Sequence, residues 1–213
     1  MAMDTIAYLK EAYGYATPIF LKEIRIGGKS KTCIRQELSR AVKKGKIIRK
    51  GQGIYCFKSD DQYIDSVTFE QIIENKFIKK DYGIPGLDLE IYGYYTGYTF
   101  LNMIGATEQV PAVIEIATNK TSCKRRYVIK NRSTILYRGK IKIDRFNYKA
   151  LQFFDAIHLL SKDEIKKNKE LLLNYINKNL SKSDFEKYIG LYPLKVVKAI
   201  TEGGMINAFD ENQ

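Results

Sequence analysis

The stretch Ser30-Lys31-Thr32-Cys33-Ile34-Arg35-Gln36-Glu37-Leu38-Ser39-Arg40-Ala41-Val42-Lys43-Lys44-Gly45, running on into Lys46-Ile47-Ile48-Arg49-Lys50-Gly51-Gln52-Gly53-Ile54-Tyr55-Cys56-Phe57, decides the fold of the amino-terminal part of the chain. Ser30 or Thr32 can cap a helix that Gly45 stops. Ile34, Leu38, Ala41 and Val42 recur at helical spacing and form one apolar stripe, with Lys31, Arg35, Gln36, Ser39 and Lys43 opposite. Two β-rich runs follow, 46–50 and 54–57, and Gly51-Gln52-Gly53 joins them as a tight hairpin.

Upstream, Asp4 to Tyr13 reads as a first helix, with Ile6, Leu9 and Tyr13 on one side, Asp4 as its cap and Gly14 as its stop. Thr17-Pro18-Ile19-Phe20-Leu21-Lys22-Glu23-Ile24 is expected to be a short second helix. Thr17 would cap it, and Pro18 would take the first helical position, where its missing N–H costs nothing. Gly27-Gly28 ends it. Helix, short helix, turn, longer helix with a polar outer face, then a hairpin is the order of a winged helix-turn-helix, expected over residues 1–58. In such a module the longer helix enters the major groove of duplex DNA and the hairpin meets its phosphates. Arg35 and Gln36 are the expected base readers, since Arg pairs with guanine and Gln with adenine. Lys29, Lys31, Lys43, Arg49 and Lys50 are expected at phosphates, and Ser30, Thr32, Ser39 and Gln52 complete the expected contact set. Gly28-Lys29-Ser30 resembles the tail of a phosphate-binding loop, but Glu23 stands where that loop needs its first glycine.

A length of 213 residues allows one or two domains. The net charge of +12 is unevenly spread. Residues 1–57 carry twelve Lys/Arg against four Asp/Glu, residues 58–119 four against ten, residues 120–149 eleven against one, and the remainder balances. Two basic blocks therefore flank an acidic one, and basic blocks attract polyphosphate whatever its sequence. The second comprises Lys124, Arg125, Arg126, Arg132, Arg138, Lys140, Lys142 and Arg145, and is expected either to lengthen the DNA footprint or simply to solvate a surface. Cys33, Cys56 and Cys123 have no paired spacing and read as small buried hydrophobes. No metal site is expected, because His158 is the only histidine. The opening Met1-Ala2-Met3-Asp4-Thr5 lacks the layout of a signal peptide, and no apolar run reaches the roughly 20 residues of a membrane helix. A cytoplasmic location without a membrane partner is expected.

Beyond residue 58 a polar linker is expected at 59–65, a helix from Thr68 to Phe77, a loop from Lys79 to Asp88, and a short helix from Thr99 to Ile104 closed by Gly105. Strands are expected at 113–117, 126–130 and 134–137. Helices are expected at 148–160, 162–179, from Ser183-Asp184 onward, and at 193–202. The fold class is thus α+β: a winged helix-turn-helix, a linker and connecting helix over 59–84, and a mixed α/β domain over 85–213 with a small sheet and a helical end. Chemistry-bearing candidates are few. Glu115 could join Asp88 or Glu90 in a nuclease-type carboxylate set, but such sets place a lysine two residues later and Ala117 stands there. His158 lacks a nucleophile at a telling spacing, and the 16 tyrosines could stack on bases or fill the core. No catalytic role and no cofactor is expected.

Ile47-Ile48-Arg49-Lys50-Gly51-Gln52-Gly53-Ile54-Tyr55 resembles the wing of AbiEi-type antitoxins. Thr96-Gly97-Tyr98-Thr99-Phe100-Leu101-Asn102-Met103-Ile104-Gly105-Ala106-Thr107-Glu108-Gln109-Val110-Pro111, followed by Val113-Ile114-Glu115-Ile116-Ala117-Thr118, is similar to a short helix, a glycine–threonine–proline stretch and a strand of the same family. The resemblance implies a transcriptional repressor and antitoxin in one chain. Its winged helix would bind inverted repeats ahead of a toxin–antitoxin operon, as a pair of monomers or a dimer. Its second domain would neutralise a nucleotidyltransferase-like toxin, directly or functionally, in abortive infection, a defence against phage. The resemblance implies no cofactor. A protein-interaction adaptor, a stand-alone transcriptional regulator and a tethered nuclease are the competing classes.

Overall fold

The computed structural model describes residues 4–15, 17–58, 67–80, 89–129 and 131–209. It is mixed α+β with small sheets and divides into two units at Asn75/Lys76. The expected linker at 59–65 and most of the expected loop, including Gly83, Pro85, Gly86 and Asp88, lie outside the described residues, as does Lys130 at the end of an expected strand.

In the first unit, helix α1 spans Thr5–Tyr13, and the Asp4 carboxylate caps it by accepting the Ile6 N–H at 3.0 Å. Helix α2 spans Lys31–Lys43, with the Ser30 hydroxyl accepting the Cys33 N–H at 3.2 Å. The short helix expected at 17–24 does not form. Ile19–Phe20 is instead a strand, β1, pairing antiparallel with β3 (Ile54–Cys56), which in turn pairs with β2 (Ile48–Gly51). Residues 21–23 make only a turn. Ile19 and Phe20 are apolar, stiff or bulky, and buried, and pairing with Ile54 and Tyr55 satisfies more of their backbone than an isolated helical turn would. Gly53, at φ 68°, turns the chain between β2 and β3. The core gathers Leu9, Ile19, Ile24, Ile34, Leu38, Ile47, Tyr55 and Phe57, so Ile34, Leu38 and Ala41 of the α2 stripe are buried as their spacing predicts, with Val42 partly buried at its end.

Helix α3, Phe69–Phe77, starts at Thr68, whose hydroxyl accepts the Gln71 N–H while the Gln71 side chain accepts the Thr68 N–H. The boundary between the units falls within it.

The second unit opens on a two-stranded ladder, β4 (Lys79–Lys80), which falls in the expected loop, against β5 (Glu90–Ile91), for which no element was expected. A four-stranded sheet follows, in spatial order β6-β7-β9-β8, from β6 (Gly93–Tyr95), β7 (Ile114–Thr118), β8 (Arg125–Ile129) and β9 (Arg132–Arg138). β7 and β9 run parallel, and the other pairs are antiparallel. β6 was not expected. Its Tyr94 is 2% exposed, and the neighbouring Tyr92 is also buried, so this tyrosine-rich stretch belongs to the core.

Helix α4 (Gly97–Met103) packs on β7, and α5 (Tyr148–Leu159) packs on β6. Around α5 lie α6 (Lys162–Lys167), α7 (Lys169–Asn179), α8 (Lys182–Tyr188) and α9 (Leu194–Glu202), with 3-10 turns at Ile189–Leu191 and Ile206–Phe209. The single helix expected over 162–179 is two, broken at Asn168, whose amide donates to the Ala106 and Glu164 carbonyls. α8 begins earlier than expected, because Ser181 rather than Ser183 caps it, reciprocally with Asp184. Phe153, Phe154, Tyr175, Tyr192 and Phe209 meet edge-on, tilted or stacked at the centre of this core.

Candidate nucleic-acid interface

Helix α2 buries Ile34, Leu38 and Ala41 and exposes Lys31, Thr32, Arg35, Gln36, Ser39, Arg40 and Lys43. At about 100° per residue, Thr32, Ser39, Arg40 and Lys43 fall within about 60° of Gln36, with Arg35 on the flank. Arg40 is thus central to the face although it was not among the expected contacts. Its place four residues after Gln36 was the available signal. Lys31 is exposed in the first turn, off the stripe.

Two expected contacts are otherwise engaged. Lys29 is half-buried, and its ammonium meets the Glu37 carboxylate at 2.9 Å and the Thr5 hydroxyl at 2.9 Å. Thr5 also donates to Glu37, and Cys33 Sγ lies 3.6 Å from it. These contacts hold the Glu37 carboxyl below its ordinary range, chiefly through the Thr5 hydrogen bond and then Lys29. Lys29 therefore ties α1 to α2 instead of pointing outward. Ser30 spends its oxygen on the helix cap. In the hairpin, Arg49 and Gln52 are exposed and Lys50 is half-buried. Arg49 Nε donates to the Gly51 carbonyl at 3.2 Å, and a register shift between Arg49 and Gly51 marks a bulge.

The second basic block separates into three places. Lys124 and Arg126 share one face of the β8–β9 pair: Lys124 Nζ stands 5.4 Å from the Tyr137 ring centre, and the Arg126 guanidinium donates twice to Ser133 Oγ, at 3.1 and 2.6 Å. Arg125 and Arg138 sit at positions of opposite parity, and Arg125 donates to the Lys120 carbonyl at 2.9 Å. Arg132 opens β9, and all of these are exposed. Lys140, Lys142 and Arg145 lie on the segment between β9 and α5, all exposed, with Lys140 over the Tyr192 ring at 4.8 Å and Arg145 over the exposed Phe146 ring at 4.8 Å.

The other candidates serve the fold. Glu115 is half-buried, not displayed on an open strand face: its carboxylate accepts the Tyr98 N–H at 3.0 Å and the Tyr137 hydroxyl at 2.9 Å. It thereby caps α4, while the Thr96 hydroxyl donates to Asp155 at 3.3 Å. Burial, together with Glu115, pushes the Tyr137 hydroxyl up to about 12. Asp155 also accepts from Tyr94 at 2.9 Å and has the Tyr192 hydroxyl beside it. Burial raises its carboxyl above the ordinary range despite these partners and Lys140. His158 is exposed. Of the cysteines expected to be buried only Cys56 is, since Cys33 is half-buried and Cys123 exposed. A groove of about 290 Å³ between α6 and α9 is lined by Leu160, Ile165, Leu194 and Ala199, and its Glu202 is paired with Lys162 at 2.8 Å. Among the described residues, no three His, Cys, Asp or Glu side chains are grouped to hold a metal ion, and no helix is long and apolar enough to cross a membrane. Compared with known proteins, the chain matches no family model and no curated protein.

Proposed function

We propose that the first unit is a winged helix that grips duplex DNA, and that the protein is a cytoplasmic autorepressor and antitoxin of the AbiEi type. The reading rests on the exposed face of α2, where Arg35, Gln36, Ser39, Arg40 and Lys43 stand away from the buried Ile34, Leu38 and Ala41 and directly precede a basic hairpin. Base-edge readout needs such a helix, rigidly packed on one side and hydrogen-bond-capable on the other. β1 fits the same architecture, adding a third strand to the hairpin. Lys140, Lys142 and Arg145 would add phosphate contacts, and an inverted-repeat operator would take two protomers. The second unit would act against a nucleotidyltransferase-like toxin.

The direct test is a mobility-shift assay on the DNA upstream of the protein's own reading frame, comparing wild type with Arg35→Ala and Gln36→Ala. Loss of the specific complex supports the reading, and unchanged specific binding overturns the assignment of α2. For the antitoxin part, the protein is co-expressed with the neighbouring reading frame. Growth arrest by the neighbour alone, relieved by co-expression, supports it, and unrelieved arrest overturns it.

A further inference from the structure

The four-stranded sheet is unevenly covered. Helices α4 and α5 pack over β7 and β6. On the face that carries Glu115, the other two strands place Arg126 and Val128 from β8 and Ile135 and Tyr137 from β9, with Ser133 buried beneath the Arg126 guanidinium. Strand alternation and two cross-strand contacts, Arg126 to Ser133 and Tyr137 to Glu115, put these side chains on one side. Val128 is 52% exposed, Arg126 and Lys124 are exposed, and Ile135 and Tyr137 are half-exposed. The intervening positions Leu136, Thr134 and Ile129 are buried on the far side.

We propose that this open half-sheet, bearing Tyr137, Ile135, Val128, Lys124 and Arg126, is a binding platform for single-stranded nucleic acid. Its chemistry matches what an unpaired strand offers. A flat aromatic and aliphatic floor takes base faces, and cations at its margin take phosphates. The strand β8 and its approach contribute Lys124 and Arg126 to this face, within a block that has a single carboxylate in thirty residues. Glu115, the acid among the described residues of the face, has both carboxylate oxygens already engaged as acceptors, from the Tyr98 N–H and the Tyr137 hydroxyl. A duplex fits this surface less well, since its base faces are stacked inside and unavailable to Tyr137. Lys124, now over the Tyr137 ring, would swing to a phosphate when a base takes its place.

The test uses the full chain and three fluorescein-labelled probes: a 12-nucleotide uridine RNA, the matching thymidine DNA, and a 12-base-pair duplex. Fluorescence anisotropy is read for wild type, Tyr137→Ala, Val128→Glu and the double variant Lys124→Ala/Arg126→Ala. Val128, Lys124 and Arg126 are surface residues, so the second and third variants keep the test open if Tyr137→Ala fails to fold. Expected is a roughly tenfold loss of single-strand affinity in Val128→Glu and in Tyr137→Ala. The double variant should lower the salt slope by about 0.7 for each phosphate that is no longer neutralised. A 4-thiouridine probe should cross-link within residues 124–138. Equal binding of uridine and thymidine strands assigns both as ligands, and a preference for one names the source. Unchanged single-strand affinity in the Val128→Glu and double variants overturns the proposal, as do cross-links confined to residues 31–52. Arg35→Ala and Gln36→Ala should weaken duplex binding and leave these cross-links in place, so failure here is distinct from failure of the duplex reading.

Discussion

Lys29 and Glu37 form an ion pair at 2.9 Å that sits between α1 and α2, with Thr5 hydrogen-bonded to both partners. A lysine one residue before a helix cap would ordinarily be a strong phosphate ligand. Here its side chain is 14% exposed and turned inward. Lys29→Ala should therefore cost about 1 kcal/mol of stability, as removal of a half-buried charged partner does. It should leave the salt slope of DNA binding unchanged. Chemical denaturation and a salt titration of operator affinity check the two halves separately.

The same pair gives a signature in pH. Glu37 has a carboxyl lowered from its ordinary value of 4.5 in the folded state. Its contribution is complete above that value and fades as the pH falls through the lowered one. The fall in Tm on acidification below about pH 4.5 should be smaller in Glu37→Gln than in wild type. An identical acid response in the two proteins would mean that the triad is not formed in solution.

Asp155 has the opposite sign. Its carboxyl is raised, burial being the first cause, so charging it as the pH rises works against the fold. Asp155→Asn keeps an oxygen for Tyr94 and Thr96 and removes the charge. The variant should be at least as stable as wild type at neutral pH. Wild type should close the difference as the pH falls from neutral toward the ordinary carboxylate range. A Tm series for both proteins across that interval reads the effect, and a neutral variant that unfolds more easily at every pH would contradict it.

These contacts mark where the sequence was legible and where it was not. The caps at Asp4 and Ser30, the stripe of α2, the β2–β3 hairpin and the runs forming β7, β8 and β9 are local signals, and the structure follows them within a few residues. The failures are long-range. Pro18 made 17–24 look helical, but the partner deciding its state is Tyr55, far along the chain. β6 becomes a strand because Tyr94 pairs with Ala117 and reaches Asp155. Lys29 looked free until Thr5 and Glu37 were brought to it. Glu115 was a candidate for a carboxylate set until the Tyr98 N–H arrived from α4.

On the exposed face of α2, removal of Arg35 or Gln36 should each cost about 1–3 kcal/mol in operator affinity and relax discrimination at one base pair. Arg40→Ala and Lys43→Ala should weaken specific and scrambled DNA alike, each lowering the salt slope by about 0.9. Lys140→Ala/Lys142→Ala/Arg145→Ala should flatten the slope similarly if that segment reaches phosphates, and an unchanged slope would remove that segment from the footprint. Titration of operator and scrambled duplexes over a range of salt separates all these outcomes.

The junction of β6 and α4 allows a coupling measurement. Gly97 has φ +63°, and a Cβ there would fall 2.1 Å from Glu115 Oε2. Gly97→Ala must therefore adopt a left-handed backbone at about 1–2 kcal/mol and also displace the carboxylate that holds Tyr98 N–H and Tyr137. The total expected cost is about 3 kcal/mol. Glu115→Ala alone should cost about 1–2 kcal/mol, the value of a lost helix cap. In the double variant the clash has no second atom, so only the backbone strain and the missing cap remain. The two costs should fall short of additivity by about 1 kcal/mol, well outside the 0.3–0.5 kcal/mol scatter typical of roughly independent sites. Urea denaturation of the four proteins closes the cycle. Strict additivity would mean that backbone conformation alone, and not the Glu115 carboxylate, requires glycine at the start of α4.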